Sequence, residues 1–134
     1  EDGQVYILEI GPRNGGNLIT DALKYATGVD LAKATVEAAV GENKESFAKK
    51  ECNTVSSFII HSLHDGIFKK LNIAEEIKSD ILRLDLWDQP GDRVYKFNNG
   101  SFGMGAALIR FQSVEEMCYR MDHMEEFIRV EIEQ

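Results

Sequence analysis

The chain has 134 residues, of which 43% are hydrophobic and 28% are charged, and its formal net charge is −8. This length and composition are typical of an ordinary globular domain with a buried core. The negative charge argues against a nucleic-acid-binding protein, because phosphate contacts need clustered Lys and Arg. The sequence has no run of about 18 apolar residues, which argues against a membrane span.

The start of the chain and its two cysteines both bear on the location of the protein. The chain opens with Glu1-Asp2-Gly3, which does not resemble a signal peptide. Cys52 and Cys118 form no C-x-x-C motif and lie in apolar or amphipathic surroundings. We therefore expect a cytoplasmic protein whose thiols are reduced and partly buried.

The first third of the chain predicts a strand and two helices. Residues 5–10 form an apolar run that favours a buried strand. Apolar residues at helical spacing over 18–26 predict a helix that ends at Gly28. Asp30 is the predicted N-cap of a second helix, which ends before Gly41.

The remainder predicts strands and one further helix. Residues 42–50 are a polar connector, so we expect one unit over residues 1–50 and a second over residues 51–134. Predicted strands cover residues 55–60, 67–73, 81–87, 106–111 and 127–133. A helical stripe is formed by Val114, Met117, Cys118, Met121 and Glu125. The predicted fold class is α+β, a mostly antiparallel sheet with helices packed on it.

The connection between residues 9 and 17 contains the main candidate site residues. Glu9 stands at the end of the predicted strand, Arg13 follows four residues later, and Asn14-Gly15-Gly16-Asn17 leads into a helix. A buried carboxylate needs a partner, and a glycine-flanked helix N-terminus lets backbone N–H groups approach an anion. Two interpretations follow, a magnesium–phosphate site or a structural Glu9–Arg13 ion pair in a glycine-rich turn.

Other candidate sites are weaker. His61, His64 and Asp65 form an H-x-x-H-D motif, but no cysteine or third ligand accompanies it, so we interpret the pair as structural rather than as a zinc site. His123 is predicted at the surface, and Met117, Met121 and Met124 in the core. The glycine-rich residues 98–106 lack the lysine of a phosphate loop and are predicted to form a hairpin tip.

Residues 5–41, VYILEIGPRNGGNLITDALKYATGVDLAKATVEAAVG, resemble the end of the ATP-grasp domain. Carbamoyl phosphate synthetase, biotin carboxylase and the carboxylate–amine ligases belong to that family. It carries Glu-x-Asn-x-Arg at the end of a strand, then a glycine-containing loop, a helix, and a second helix that opens with ATGxDL. Residues 52–133 resemble, more loosely, the small C-terminal lobe of these enzymes. The resemblance implies the fold of an ATP-grasp C-terminal part.

The resemblance also implies roles for the loop. Glu9 matches the acid that bridges magnesium ions at the β- and γ-phosphates of ATP. Arg13 matches the arginine that holds the carboxylate or acyl-phosphate intermediate. Gly11 stands where the family has an asparagine ligand, so Asn14 or Asn17 would have to replace it. The implied cofactors are ATP and Mg²⁺, and the implied reaction activates a small carboxylate as an acyl phosphate and transfers it to an amine or similar nucleophile.

Several parts of such an enzyme are missing from the sequence. It has no glycine-rich lid, no lysines placed to reach the nucleotide and no second metal acid on a preceding strand. Asp2-Gly3 is typical of a hairpin turn, but the strand that would enter this turn is not in the sequence. We therefore expect a fragment that is inactive alone, and that either self-associates through strand 5–10 or has this strand covered by the connector at residues 42–50. Two alternatives remain open, a non-catalytic assembly or regulatory module and a biotin-carboxylase-type enzyme.

Overall fold

The computed structural model describes residues 3–11, 13–42 and 52–133. Two helices come first, α1 (Ile19–Thr27) and α2 (Leu31–Ala39). The strands follow as β1 (Thr54–Ile60), β2 (Gly66–Ile73), β3 (Ile81–Leu86), β4 (Arg93–Val94), β5 (Gly105–Phe111) and β6 (Ile128–Glu133). Between them lie α3 (Glu75–Lys78), a 3₁₀ turn (Gly100–Phe102), α4 (Val114–Asp122) and α5 (Met124–Phe127). None of the helices in these described ranges is long and apolar enough to cross a membrane.

The strands form two three-stranded sheets, where the sequence predicted one. The orders are β1-β5-β3 and β4-β2-β6, and the named strands pair antiparallel. Helices α1 and α4 both contact β1, and β5 lies in the centre of its sheet with six of its seven residues buried. A strand covered on both faces is apolar throughout, which explains why residues 105–109 do not alternate.

The core lies between the sheets and the helices. Its largest fully buried side chains are Phe68, Ile60, Ile77, Met104, Leu108 and Ile109. Met124 is buried, and Met117 and Met121 pack against the core. The methionines therefore fill the interior, as the sequence predicted.

Local signals set the helix ends where the sequence placed them. Gly28 ends α1 in the left-handed conformation, with φ of 72°. The Asp30 side chain accepts a hydrogen bond from the backbone N–H of Lys33 at 2.9 Å and caps α2. At α4, Ser113 accepts from the Glu116 N–H at 3.1 Å and Glu116 accepts from the Gln112 N–H at 2.7 Å. At the starts of α2 and α4, a side-chain cap thus satisfies one of the helix N–H groups that lack an intrahelical partner.

The predicted strand over residues 5–10 is wrong for the described chain. Residues 4–11, which we call the arm, have no regular secondary structure. Five apolar side chains of the arm are at least two-thirds exposed: Val5, Tyr6, Ile7, Leu8 and Ile10. A strand exists only when a neighbour satisfies its backbone N–H and C=O groups, and none of the six described strands pairs with the arm.

The inward face of α4 also differs from the prediction. Val114 and Cys118 point outward, whereas Met117, Arg120 and Met121 are half-buried. Arg120 turns inward because it forms ion pairs with Asp80 at 3.5 Å and Glu116 at 3.0 Å. The helix also ends at residue 122, and His123 separates it from α5.

The cysteine prediction fails in part. Cys52 and Cys118 are not joined in a disulfide, but both are exposed rather than partly buried. His123 is exposed, as expected. Most of the connector, residues 43–50, lies outside the described residues, so the boundary between residues 1–50 and 51–134 stays a prediction.

Candidate functional site

The predicted phosphate loop enters α1 through a strained turn. Asn17 and Leu18 have φ of 54° and 63°, in the left-handed region of the backbone. A residue other than glycine adopts this region at a cost of about 1–2 kcal/mol. Leu18 occupies the N-cap position and provides no side-chain acceptor for the first N–H groups of α1. The N-terminus of α1 therefore differs from those of α2 and α4, whose first turns are capped by Asp30 and Ser113.

Two other elements hold the loop in this conformation. The Ser57 hydroxyl, on β1, donates to the backbone carbonyl of Asn17. On the other side, the Asn14 amide nitrogen lies 3.5 Å from the Thr35 hydroxyl oxygen, on α2. Residues 14 and 17 are thus fixed from a strand and a helix that follow later in the chain.

The two central glycines are not required by the fold. Neither Gly15 nor Gly16 has a positive φ. A Cβ at Gly15 would meet the Ile19 side chain at an ordinary 3.5 Å, and a Cβ at Gly16 would have no atom within 4 Å. The bare backbone at residue 16 therefore leaves open space immediately before a helix N-terminus without a side-chain cap, where the Ile19 N–H donates to the Gly16 carbonyl at 3.1 Å.

Glu9 and Arg13 are both exposed and form no ion pair with each other in the described residues. The Arg13 guanidinium instead donates to the backbone carbonyl of Asn14 at 3.2 Å. Because the arm is not a buried strand, the Glu9 carboxylate is solvated and needs no compensating partner. The structural ion pair considered from the sequence is thus not formed.

The charges around α1 are largely paired. Asp21, the one acid in the first turn of α1, lies 3.2 Å from Arg83 of β3, and Arg83 also bonds Asp85 at 2.7 Å. These carboxylates raise the pKa of Arg83. At the other end of α1, Lys24 contacts Asp30 at 2.7 Å, and this hydrogen bond raises the pKa of Lys24 and lowers that of Asp30. Arg83 thus offsets the one negative charge of the first turn of α1.

The other candidate metal ligands in the described residues do not form a metal-binding cluster. No group of three His, Cys, Asp or Glu side chains comes together within the described ranges. His61 Nδ1 lies 2.7 Å from the Ile59 carbonyl, which only accepts, so this nitrogen carries the proton. The ring packs 4.5 Å from that of Phe97 and 5.7 Å from that of Phe58. These contacts support the structural interpretation of His61.

Sequence reasoning missed the residues that support the loop. Ser57 is 40 residues from Asn17, and Thr35 is 21 residues from Asn14. Asn53 was missed as well, although its N–H and side-chain amide bond the carbonyls of Ala26 and Tyr25 at the end of α1. Nothing in a single sequence signals such contacts, because they depend on how β1 and α2 pack beside α1.

Comparisons with known proteins identify the fold. No protein-family model and no curated protein matches the sequence. A phosphoribosylglycinamide synthetase from Anaerococcus prevotii is similar over 99% of this chain and 35% of its own, with a TM-score of 0.74 and 21% identity. An L-amino acid ligase from Bacillus licheniformis is similar over 96% of this chain and 33% of its own, with a TM-score of 0.77 and 20% identity.

These matches confirm the α+β fold that the sequence resemblance implied. The chain spans about a third of the length of both solved structures. It therefore has the fold of one part of a synthetase and of an amino acid ligase.

Proposed function

We propose that this chain is part of an ATP-dependent ligase of the ATP-grasp type, and that residues 14–17 with the start of α1 bind the phosphates of ATP. The observation that carries the proposal is the bare backbone at Gly15 and Gly16. Neither φ nor packing requires these glycines, and they precede a helix whose first N–H groups lack a side-chain cap. Such an arrangement favours close approach of a phosphate. The names of the two similar structures, a synthetase and a ligase, agree with this chemistry.

Glu9 would hold a magnesium ion at the transferring phosphate. Protein-bound Mg²⁺ keeps several waters and needs only one or two carboxylates besides phosphate oxygens, so the absence of a three-residue cluster from the described residues is compatible with it. The Asn14 amide already contacts Thr35 through its nitrogen, which leaves its oxygen free to contact a ligand. Asn14 or Asn17 would then take the place of the side chain that Gly11 lacks. The ion supplies charge neutralisation.

Arg13 would bind the carboxylate substrate and the acyl phosphate formed from it. Its exposed guanidinium offers a fork of N–H donors that matches two oxygens of one carboxylate or phosphate. In the proposed reaction a carboxylate oxygen attacks the γ-phosphorus and ADP leaves. An amine then attacks the acyl carbon and phosphate leaves. The chain contributes position and positive charge, which is most of what phosphoryl transfer needs.

Phosphate release by the full-length protein tests this proposal, with magnesium–ATP and with amino acids, other amines and bicarbonate as substrates. We expect Gly16→Ala to lower kcat/KM about tenfold, because its methyl group fills the space for a phosphate. Glu9→Gln should act in the same direction. Gly100→Ala is the matched control, since a Cβ there also meets nothing within 4 Å. Unchanged kinetics in both loop variants would contradict the proposal, and stimulation by bicarbonate alone would favour the biotin-carboxylase-type alternative.

We also propose that the protein is cytoplasmic and that the arm is a contact for self-association. The five exposed apolar side chains of the arm support the self-association, because an apolar segment outside any described sheet tends to recruit another chain. Light scattering over a dilution series should show a concentration-dependent dimer that Leu8→Lys abolishes. Val114→Lys, on the exposed side of α4, is the control. A monomer at all concentrations would exclude this contact.

A further inference from the structure

A cleft with a volume of about 580 Å³ opens between the two sheets and the α4–α5 segment. Small-molecule pockets in proteins commonly have volumes of about 300–1,000 Å³. Six of the apolar side chains that line it are buried or half-buried, and Leu63 is exposed: Phe58, Met121, Met124, Ile128, Val130 and Ile132 are the six. The cleft therefore has the size and the apolar floor of a ligand site.

The rim of the cleft is acidic. Asp122, Glu125 and Glu126 are exposed and line it, and Arg129 is the one Lys or Arg among the lining residues. Within the described chain, none of these three carboxylates forms an ion pair, and Arg129 Nε lies 3.5 Å from the backbone carbonyl of Glu125. Counted without the imidazoles of His61 and His64, which also line the cleft, three carboxylates and one guanidinium leave a net charge of −2 around the apolar side chains.

The cleft is distinct from the proposed phosphate loop. Successive side chains of a strand point to opposite faces of its sheet. In β1, the Ser57 hydroxyl reaches the loop at Asn17, whereas the next side chain, Phe58, lines the cleft. The loop and the cleft thus lie on opposite faces of the β1-β5-β3 sheet, and neither Glu9 nor Arg13 lines the cleft.

We propose that this cleft binds an amphipathic organic cation, a small molecule with an ammonium group on an aliphatic or aromatic body. The apolar body would displace water from the floor, where the methionine side chains adapt to irregular shapes. The ammonium group would lie at the rim, where it gains charge complementarity with the carboxylates. An amphipathic anion of the same size would meet three carboxylates and a single guanidinium, so the rim disfavours it.

Calorimetric titration of the 134-residue chain with three small probes tests this assignment. We expect 2-phenylethylamine to bind saturably, and at least about tenfold more tightly than phenylacetate, because the two probes share an aromatic body and differ in charge. Ethanolamine, which has the charge without the apolar body, should bind at least about tenfold more weakly than 2-phenylethylamine. The proposal is overturned if 2-phenylethylamine does not bind saturably, or if phenylacetate binds as tightly.

Charge variants locate the site and assign the role of the rim. The double variant Glu125→Gln with Glu126→Gln should weaken 2-phenylethylamine binding about threefold per carboxylate removed, the scale of an exposed ion pair. Arg129→Gln should strengthen binding. Glu76→Gln, on the exposed side of α3 and outside the cleft, is the control and should leave the affinity unchanged. Equal affinities for the double variant and the wild type would overturn the proposal, whatever the outcome of the phosphate-release assay.

Discussion

The arm and β5 are both apolar runs, yet the arm is exposed and β5 is buried. Leu8 of the arm is 98% exposed, whereas Leu108 of β5 is 0% exposed. Strand β5 has β1 on one side and β3 on the other, so its backbone groups are paired and both faces are covered. The arm has no neighbouring strand within the described residues. Apolar composition thus predicts a tendency to be buried, but only a neighbouring strand turns that tendency into structure.

The largest expected effect compares the two leucines directly. Leu108→Ala should lower the free energy of unfolding by about 3–5 kcal/mol, because it leaves a cavity in a fully packed region. Leu8→Ala should change it by less than about 0.5 kcal/mol, as is usual at an exposed position. Urea unfolding followed by circular dichroism measures both. A large loss for Leu8→Ala would mean that the arm is covered in solution.

A second comparison concerns the space around two glycines, one in β5 and one in the loop before α1. A Cβ at Gly105 of β5 would lie 2.4 Å from the Asp85 carbonyl oxygen, on β3, whereas a Cβ at Gly16 meets nothing within 4 Å. Gly105→Ala should therefore destabilise the fold by about 1–3 kcal/mol through overpacking. Gly16→Ala should leave stability nearly unchanged. If both variants lost the same stability, the space above residue 16 would not be open.

A third comparison concerns two arginines. Arg120 of α4 is 20% exposed and pairs with Asp80 and Glu116, while Arg83 near α1 is 48% exposed. Arg120→Met should cost about 1–3 kcal/mol, because it removes the ion-pair partner of half-buried Glu116 and one of the two arginines that pair with Asp80. Arg83→Met should cost measurably less, since its ion pairs are solvated. Thermal unfolding of both variants decides the ranking, and a larger effect at Arg83 would contradict it.

The smallest expected effect is a pH dependence at the start of α2. The hydrogen bonds from Lys24 and from the Lys33 N–H lower the pKa of Asp30 below its ordinary value of 3.8. A carboxyl with a lowered folded pKa adds stability above its unfolded pKa, and that stability is lost as pH falls through the folded value. Asp30→Asn keeps the capping oxygen but loses the charge.

We therefore expect the wild type to have a slightly higher urea midpoint than Asp30→Asn at about pH 6, and the two midpoints to converge as the pH falls through the lowered pKa of Asp30. Asp122→Asn is the control, because no ion pair within the described chain involves Asp122. A difference between the wild type and Asp30→Asn that persists unchanged in acid would show that charge does not contribute.

Short-range features of the fold were predictable. Gly28 and Asp30 mark the end of one helix and the start of the next, and the structure places α1 and α2 on either side of them. In β6, Ile128 is buried and Glu133 exposed, as alternation along a half-buried strand predicts. The glycine loop was also recognisable, because its glycines and the helix after it are adjacent in sequence.

The sequence by itself therefore determined the α+β class, most element boundaries and the position of the candidate loop, because caps, turns and periodicity act over a few residues. Only the tertiary structure decided that the arm joins neither sheet of the described chain, that the strands divide between two sheets, and that Arg120 turns inward toward Asp80. It alone placed Ser57 on the loop and Phe58 in the acidic cleft. These outcomes depend on partners tens of residues away, and a chain encodes such contacts only through the free energy of packing the whole fold.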